Sequence, residues 1–571
     1  MTEIHLDPDQ DRVATAPASS RQVVTAGPGS GKSHVVGERC RYLVEEGLYP
    51  DQILVLSFSN AAVGVVRSRT VDVVDAGQGV TVSTLDALAR RILEHDGEAA
   101  DLSFDAVIRG ATRALQESSE PLLDDVRHLI VDEVQDVVGI RARFLGDLLT
   151  KGLDPGAGFT LLGDPLQGIY DFQITQKDPW TSESLLDVLR CTQAPVQVEL
   201  RGQYRALRGD AALGAAQRTA MLTSPPNQQM ILARGTAANL SPLGPLDDEA
   251  VEMIRRWSGT TALLCDTNAR AALTSDLLAS LGLANELQGR ATDPLLTPDI
   301  ARILADHPSS VIDRETFRTR GEERGVADPD GLWRELTRVT DSWRHIDIRD
   351  LALKLGSARI PRSLLRQPDG RIRVSTVHRA KGLEFDNVVL VDHDAWAHGG
   401  DERAEARVLF VALSRARSKL TTASGCSLRR WGLDKKTGVW RRAAARGRGT
   451  TAIVLEPNHI TSTQPVPGQP ADVAGRGVDW IPIEHITDEA GAELPCWVLT
   501  IDGHEISRTT ADFGRYIRAI TSDDRRPAIQ GGRLDGVMTV TGSPQREGAG
   551  KNGLWLGGRV SGPVYFEWER R

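Results

Sequence analysis

The residues best suited to bind a phosphorylated ligand lie in the stretch QVVTAGPGSGKS, residues 22–33. A short apolar run leads into a glycine-rich loop, and helical patterning follows Lys32 and Ser33. Glycines let backbone N–H groups turn inward on an anion, the lysine reaches the β- and γ-phosphates, and the hydroxyl of Ser33 suits Mg²⁺. The stretch therefore predicts a phosphate-binding loop, whose other candidate residues are Gly27, Gly29, Ser30 and Gly31.

The loop departs from the usual pattern at one position. Ala26 stands where the pattern begins with glycine, and a small residue suffices there. A tight strand-to-helix turn with no ligand is the plainer alternative, but it leaves Lys32 and Ser33 unexplained. We therefore retain the phosphate-binding interpretation.

A second chemical group is the acidic pair in HLIVDEVQD, residues 128–136. A short apolar run delivers Asp132 and Glu133 to the end of a predicted strand. Asp132 is suited to hold Mg²⁺ through water, and Glu133 to take the proton from an attacking water. Gln10 is a further candidate, because its amide has a donor and an acceptor for the edges of adenine; taken alone, it would be a surface residue.

The elements that must position these residues alternate in type. Short apolar runs at 53–56, 159–162, 261–265 and 388–391 predict buried strands, and helical stretches separate such runs. Strands alternating with helices indicate a parallel sheet that binds ligands at the carboxyl ends of its strands. The predicted fold class is therefore α/β.

Composition shifts suggest the domain boundaries. Helical patterning without a chemical motif predicts a short insertion at about 86–126 and a longer one at 271–365. Four prolines favour an exposed linker over 451–478, and short apolar runs with Gly and Trp favour a small β-rich domain over 479–571. The two α/β domains are then expected at 1–195 and at 196–270 plus 366–450.

Charge and cysteine usage limit the function classes. The net charge of −9 argues against a generally basic protein, yet residues 415–448 carry eleven Lys or Arg against one acid. That stretch is either a solvated surface or one that faces DNA. Five dispersed cysteines predict free thiols and neither a zinc site nor disulfides. No apolar run is long enough to span a membrane and no signal core opens the sequence, so we expect a cytoplasmic protein.

Taken in order from residue 7 to about 419, these segments resemble the UvrD/Rep family of superfamily 1 helicases. The resemblance implies two RecA-like P-loop domains with parallel sheets, and ATP with Mg²⁺ bound in the cleft between them. It also implies movement on single-stranded DNA from 3′ to 5′. For the nucleotide, the resemblance assigns contact with adenine to Gln10, with the ribose to Glu384 and with the phosphates to Lys32. It assigns metal binding to Ser33 and Asp132, and the role of catalytic base to Glu133. Gln167 would sense the γ-phosphate, and Arg205 and Arg415 would stabilise the charge of the transition state.

Candidate DNA contacts follow from the same resemblance. Phe58, Tyr170 and Phe172 match positions where the family places aromatic rings against bases, although core packing is the usual role of a single ring. Asn60, Thr84 and His378 are the remaining candidates. His378, with Arg379 beside it, is expected to approach either the DNA backbone or the domain interface, and the sequence does not choose between them.

Several features depart from the family pattern. Both insertions look shorter than in large family members, so translocation is better supported than strand separation. Gln203 stands where Asn is usual, and Gln173 where Arg is frequent. Residues 535–551 lack the short E-x-K pattern of a nuclease, so we do not predict one.

We therefore expect an ATP-dependent DNA helicase or translocase that moves 3′ to 5′, in DNA repair or in phage defence. Its expected partner is single-stranded DNA, including tailed duplexes, with a protein partner through residues 479–571. Two alternatives stay open: a single-strand-stimulated ATPase that does not unwind, and an ATP-gated DNA sensor that regulates a nuclease or repair complex. A P-loop kinase would explain neither Gln167 nor Arg415.

Overall fold

The structure is a computed structural model of the 571-residue chain. It describes residues 6–57, 80–95, 102–206, 209–288, 295–340, 342–357, 360–366, 370–396, 401–445, 449–467, 475–488, 490–521, 526–542 and 552–568. By packing, the chain divides into two compact units. The first unit comprises residues 1–242 and 380–422, and the second comprises 243–379 and 423–571.

The first unit is built on a six-stranded sheet in which every pairing is parallel. Its strands are β1 (Arg21–Ala26), β2 (Ile53–Ser57), β3 (Thr81–Thr84), β4 (His128–Asp132), β5 (Gly158–Gly163) and β6 (Val196–Leu200), in the order β3-β2-β4-β5-β1-β6. Strands β2, β4 and β5 are buried throughout, as expected for a parallel sheet covered on both faces. The carboxyl ends of β1 and β4 therefore lie at the same edge of the sheet.

Helices cover both faces of this sheet. They are α1 (Pro8–Ala14), α2 (Lys32–Glu45), α3 (Leu85–His95), α4 (Phe104–Glu117), α5 (Ile140–Asp147) and α6 (Ser182–Gln193). Three further helices, α7 (Gly209–Ala216), α8 (Arg218–Thr223) and α9 (Pro226–Ala238), pack with one another and with the helix Glu402–Leu413. Successive side chains of a strand point to opposite faces. Accordingly, Val23 packs in the core with α3 to α6, and Val24 packs in the core with α2.

Short turns and a later segment complete the first unit. Single-turn helices span Pro50–Gln52, Val134–Asp136, Pro165–Gln167 and Asp171–Gln173, and a π-helix spans Leu148–Gly152. Residues 380–422 contribute Phe385–Val391, Glu402–Leu413 and most of Ala416–Ser424, which we number β13, α17 and β14. This segment was assigned from sequence to the second α/β domain. Grouping by packing does not test that division, so the domain boundaries stay a prediction.

The second unit contains three strands that pair in parallel. Strand β12 (Ile372–Thr376) pairs in parallel with β8 (Thr261–Cys265) and with β9 (Glu286–Leu287). The chain enters it through β7 (Pro242–Pro245) and α10 (Asp248–Arg256), then continues through α11 (Asn268–Ser280), and α16 (Val377–Ala380) follows β12. The predicted α/β class with parallel sheets is therefore confirmed.

A helical region stands between β9 and β12. Its helices are α12 (Pro298–Leu304), α13 (Arg314–Glu323), α14 (Pro329–Thr340) and α15 (Ile348–Ser357), with a hairpin of β10 (Val311–Asp313) and β11 (His345–Asp347) and a single turn at Arg362–Leu364. Phe317 and Trp333 meet edge to face in its core, with ring centroids 5.3 Å apart. The region predicted as a helical insertion is thus packed around a hydrophobic core.

The carboxyl-terminal part is antiparallel and β-rich, as predicted. Five strands form one sheet in the order β15-β16-β17-β23-β22: Trp431–Leu433, Trp440–Ala443, Thr450–Val454, Leu554–Glu567 and Ala528–Thr541. Four strands form another in the order β18-β21-β20-β19: Ile460–Ser462, His504–Thr509, Glu493–Ile501 and Asp479–Thr487. Helix α18 (Ala511–Ile520) packs on β20 and contributes Phe513 to the shared core.

The stretch 451–478 was expected to be an exposed linker, but its described part forms paired strands and contributes to a core. Strand β17 pairs with β23, β18 pairs with β21, and Val466 and Val478 are buried in the β-rich core. Pro457 opens a single turn, Pro457–His459, between two strands. Prolines are compatible with turns and sheet edges, so their number alone did not identify a linker.

The long hairpin of β22 and β23 also packs against the helical region. The Thr539 hydroxyl donates to the Thr297 carbonyl at 2.6 Å and accepts from the Ala301 N–H at 2.9 Å. The Asn552 amide donates to the carbonyls of His307 and Ser309 at 3.2 and 3.1 Å. Leu554 is fully buried in the core of the helical region, so residues 479–571 contribute directly to its stability.

No helix in the described part of the chain is both long enough and apolar enough to cross a membrane.

We predict that Leu554→Ala lowers the free energy of unfolding by about 2–5 kcal/mol, the range for removing a buried leucine side chain. Leu353→Ala is the matched control, because Leu353 lies on α15 with 64% of its surface exposed and should change the free energy by no more than about 0.5 kcal/mol. Urea denaturation measures both variants. Equal midpoints would contradict a shared core.

Candidate active site

The loop after β1 adopts a backbone that requires glycine at two positions. Gly29 and Gly31 have φ angles of 77° and 84°, in the left-handed region. A Cβ atom at Gly29 would collide with the Gln203 amide and lie 2.7 Å from the Arg205 Cβ. One at Gly31 would lie 2.5 Å from the Gln10 amide nitrogen. Backbone conformation and packing together therefore favour glycine at these two positions.

Lys32 and Ser33 open α2, as the sequence predicts. The Lys32 ammonium donates to the Ala26 carbonyl at 3.1 Å, and its nitrogen lies 3.9 Å from a carboxylate oxygen of Glu133. The Ser30 hydroxyl donates to the Gly27 carbonyl at 2.9 Å and fixes the turn. Unpaired N–H groups at the start of a helix favour an anion, and Lys32 adds a full positive charge there.

Asp132 ends β4, and Glu133 turns the chain away from the sheet. Asp132 is 3% exposed, and one of its oxygens accepts from the Glu133 N–H at 2.9 Å. Glu133 has a φ of 58°, which is uncommon for a residue other than glycine and costs free energy. The Gln135 side-chain amide donates to the Glu133 carboxylate and holds it in place.

Burial and neighbouring charges shift the pKa values of Asp132 and Glu133 in opposite directions. Burial, together with the charge of Glu133, raises the pKa of Asp132 to about 7. Burial also acts to raise the pKa of Glu133, but the ammonium groups of Lys32 and Lys381 outweigh it and lower that pKa to about 2. Glu133 is therefore the member of the pair that stays ionised.

Gln167 joins the first sheet to the segment 380–422. It is 2% exposed, and its amide nitrogen donates to Asp164 at 3.0 Å. Its amide oxygen accepts from the Arg415 guanidinium, also at 3.0 Å. The Lys381 ammonium donates to the Gln167 carbonyl and to the Asp136 carboxylate.

Arg205 and Arg415, the two arginines predicted to act on the phosphates, both lie near Glu384. Arg415 is 3% exposed, and burial lowers its pKa to about 10, which leaves it charged at neutral pH. Arg205 donates to one oxygen of Glu384, and Arg417 donates to the other at 3.1 Å. Glu384 therefore holds two guanidinium groups at once.

These elements enclose one cavity of about 330 Å³ within the first unit. Seven predicted residues line it: Lys32, Ser33, Glu133, Gln167, Arg205, Glu384 and Arg415. The loop glycines Gly27, Gly29 and Gly31 line it as well. The sequence-predicted catalytic and phosphate-binding residues thus converge on one place.

Gln10 lies beside the cavity with its amide already engaged. Its nitrogen donates to the Ser30 carbonyl at 2.9 Å, and its oxygen accepts from the Asp7 N–H at 3.1 Å. It therefore braces the loop and caps α1, and its predicted contact with adenine stays a prediction. Asp132 and Ser30 lie next to the lining residues without lining the cavity themselves.

Sequence reasoning did not assign a role to four residues that the structure places here. Tyr204, 54% exposed, and Arg417 line the cavity. Tyr204 immediately precedes Arg205, Arg417 lies two residues after Arg415, and Lys381 lies two residues after Arg379. Arg218 had no local signal: it is buried, its Nε lies 3.3 Å from Asp164, and its side chain packs beneath Gly27.

The predicted DNA contacts are dispersed. Phe58 and Asn60 lie outside the described residues. Thr84 ends β3, where its hydroxyl accepts from the Ala87 N–H, and His378 is half-buried on α16 in the second unit. Tyr170 and Phe172 form a pair with ring centroids 5.9 Å apart.

Oxygen groups at the start of α2 and at the end of β4 suit a hard cation. Ser33 offers a hydroxyl, and Asp132 a buried carboxyl whose neighbour is a second carboxylate, a charge that a cation would offset. Among the described residues no group of three or more His, Cys, Asp and Glu could hold a metal ion. Mg²⁺ fits this arrangement, because it is usually held by one or two protein oxygens together with phosphates.

A glycine-rich loop at the end of one parallel strand, with an acidic pair at the end of another, is typical of P-loop nucleotide-binding folds. The family model of the UvrD/REP helicase N-terminal domain matches residues 6–120, and that of the UvrD-like helicase C-terminal domain matches residues 371–421. These matches confirm the resemblance to UvrD/Rep-like superfamily 1 helicases.

Individual relatives agree with the family models. ATP-dependent DNA helicase UvrD2 of Mycobacterium tuberculosis is 26% identical over 436 residues, covering 64% of this chain and 56% of its own length. ATP-dependent DNA helicase PcrA of Leuconostoc citreum is 37% identical over 100 residues, covering 17% of this chain and 13% of its own. The chain thus spans little more than half the length of UvrD2.

Among solved structures, the Pif1 helicase from Candida albicans aligns with 74% of this chain and 95% of its own, at a TM-score of 0.36 and 13% identity. A TM-score this low does not bear on the fold.

We predict that Gly29→Ala weakens ATP binding about tenfold or more, because a left-handed alanine costs about 1–2 kcal/mol before the collision with Gln203 is counted. Gly47→Ala is the control: Gly47 is also left-handed, at φ 99°, but has nothing within 4 Å of an added Cβ. It should lose stability and keep its ATP affinity. Titration with a fluorescent ATP analogue compares the two, and equal affinities would contradict the role of Gly29.

Proposed function

We propose that this chain is an ATP-driven motor that moves 3′ to 5′ on single-stranded DNA and unwinds tailed duplexes, in DNA repair or in phage defence. The observation that supports it is the convergence of Lys32, Glu133, Gln167, Arg205 and Arg415 on one cavity. An anion-binding loop, a general base and two guanidinium groups are the parts that phosphoryl transfer to water needs.

The roles follow from position and charge. Lys32 and the loop N–H groups would hold the phosphates of ATP, and Ser33 with Asp132 would hold Mg²⁺, which supplies charge neutralisation when bound. Glu133, ionised and facing the cavity, would take the proton from the attacking water. Tyr204 would offer the flat face of its exposed ring to the adenine.

The arginine pair would act on charge that develops during transfer. Arg415 reaches the cavity beside Gln167, so the two side chains would respond together to the terminal phosphate. Arg205 is paired with Glu384 here and would exchange that carboxylate for phosphate oxygens. Arg417 would keep Glu384 satisfied during the exchange, because it contacts the other oxygen.

DNA contact is proposed at the Tyr170 and Phe172 pair. Phe172 is 71% exposed, which for a large apolar ring favours a role at a binding surface. Lys381 lies 5.2 Å from the Tyr170 ring centroid and donates to the Gln167 carbonyl. A base that moved the Tyr170 ring would therefore move a group bonded to the proposed phosphate sensor.

The second candidate is a protein that hydrolyses ATP without unwinding DNA. It would be either an ATPase stimulated by single-stranded DNA or a DNA sensor that regulates a protein partner. The contacts of Thr539 and Asn552 with the helical region favour it, because they tie that insertion to the carboxyl-terminal hairpin. Duplexes with 3′ or 5′ tails separate the candidates. Unwinding of 3′-tailed substrate alone would support the helicase, and hydrolysis without unwinding would support the second candidate.

We predict that Glu133→Gln lowers the rate of DNA-stimulated ATP hydrolysis by about 10²- to 10⁴-fold, the contribution of a general base. Binding of ATP should persist, because the loop and Lys32 are unchanged. Glu120→Gln, an exposed residue of the same unit, is the control and should hydrolyse ATP at the wild-type rate. Wild-type turnover by Glu133→Gln would overturn the proposed function.

We also predict that Phe172→Ala raises the oligonucleotide concentration needed for half-maximal ATPase stimulation by about 5- to 150-fold. This factor corresponds to the loss of about 1–3 kcal/mol of base stacking. Basal hydrolysis without DNA should be unchanged, since Phe172 does not line the cavity. Phe104→Ala is the control, because Phe104 is equally exposed, at 71%, on α4. An equal effect of both substitutions would contradict a specific stacking role.

A further inference from the structure

The hairpin of β15 and β16 carries a group of positive charges that the proposed motor site does not use. We call residues 429–442 the basic hairpin. Its strands pair in antiparallel register, with Leu433 opposite Trp440 and Trp431 opposite Arg442. It lies in the second unit, at the edge of the five-stranded sheet.

The turn of the hairpin, residues 434–439, is both anchored and ordered. Val439 is 2% exposed and packs in the β-rich core. Across the turn the Gly438 N–H donates to the Asp434 carbonyl at 2.7 Å, and the Lys436 N–H donates to the Asp434 carboxylate at 3.0 Å. The backbone therefore holds the turn residues in a defined position.

The charges of the hairpin are almost all of one sign. It holds six cations, Arg429, Arg430, Lys435, Lys436, Arg441 and Arg442, and a single acid, Asp434. That acid lies 3.8 Å from Arg441. In the part of the chain that the structure describes, Arg429, Arg430, Lys435 and Lys436 are exposed and form no ion pair. The contrast is with arginines such as Arg314 and Arg476, which are exposed and paired with carboxylates.

The backbone at Arg430 provides a second observation. Its φ is 69°, a left-handed conformation that Gly adopts freely and that costs free energy for a long side chain. The Arg430 carbonyl accepts from the Ala443 N–H at 2.9 Å, so the strained residue is part of the hairpin ladder. A cation at a position better suited to glycine points to a use for its charge.

Protection of a sheet edge does not account for these charges. Edge strands often carry lysine to block pairing with other chains. The edge strand here is β15, and its residues Trp431, Gly432 and Leu433 carry no charge. The unpaired cations lie before the strand and in the turn, where they do not shield its edge.

We propose that the basic hairpin binds the phosphate backbone of DNA at a site separate from the motor cavity. Phosphates along a DNA strand match these exposed cations, which form no ion pair among the described residues, and local charge decides such binding although the net charge of the chain is −9. Such contacts fix position and are insensitive to sequence. The inference rests on the proposed action on DNA and adds a second point of attachment in the β-rich part of the chain.

The test measures how DNA affinity depends on salt. One full-length variant combines Arg429→Gln, Arg430→Gly, Lys435→Gln and Lys436→Gln. A control combines Arg318→Gln, Arg334→Gln, Arg338→Gln and Arg349→Gln, four exposed arginines of the helical region with the same loss of charge. Fluorescence anisotropy of a labelled tailed duplex, without ATP, gives the dissociation constant between about 50 and 200 mM salt.

We expect the slope of log affinity against log salt to fall by about 3 in the hairpin variant, since each released phosphate contact contributes about 0.7–0.9. The control should keep the wild-type slope. An unchanged slope in the hairpin variant would overturn the proposal. An acidic protein surface would then be the better match for the cations of the hairpin. An equal fall in both variants would also overturn it, because net charge alone would then be the cause.

Arg430→Gly alone separates binding from folding. It should keep or raise the melting temperature, because glycine relieves the backbone, and should still weaken DNA binding. A lower melting temperature would show that Arg430 is structural and would contradict this step.

Lys32→Ala distinguishes the two proposals: it should abolish hydrolysis without changing the salt slope, so the hairpin can be judged even if no DNA-stimulated hydrolysis is found.

Discussion

The buried amide of Gln167 is the constraint on which the rest of the site depends. A buried polar group must find hydrogen-bond partners or pay the cost of desolvation. Gln167 satisfies this requirement through Asp164 on one side and Arg415 on the other, while its carbonyl accepts from Lys381. Two residues more than 200 positions later in the chain are thereby fixed beside the phosphate loop. A change in any one of these contacts must be felt by the others.

Charge balance couples the same groups more tightly. Asp132 and Asp136 are buried carboxyl groups with the half-buried Glu133 between them in the chain, and Lys32 and Lys381 offset their charge. Removing one partner from a buried ionic group is costly because it leaves a charge without compensation. The site therefore cannot be divided into residues that act alone. Its charges favour a bound anion and a cation together, which is the charge pattern of a nucleoside triphosphate with its metal.

Local patterns predicted what depends on local chemistry. The loop glycines, Lys32, and the acidic pair after β4 follow from strand ends and residue types, and the structure places them together. Arg218 could not be found in this way, because its role beneath Gly27 depends on a contact between distant segments. For Gln10 the structure adds contacts with Asp7 and Ser30 that the sequence did not indicate, and its contact with adenine stays a prediction. The described part of 451–478 was misread because prolines mark turns between strands as readily as linkers.

The β-rich part also restricts how a protein partner could attach. Strand β19 is an edge of its sheet, and an exposed edge can accept an added strand. Pro482 removes one donor from that edge strand, and the Arg526 guanidinium occupies the Ile483 carbonyl. Both features disfavour continuous backbone pairing. A partner that attaches at β19 would therefore have to recognise side-chain surfaces, such as the one around the half-exposed Ile481, and could not rely on extending the sheet at that edge.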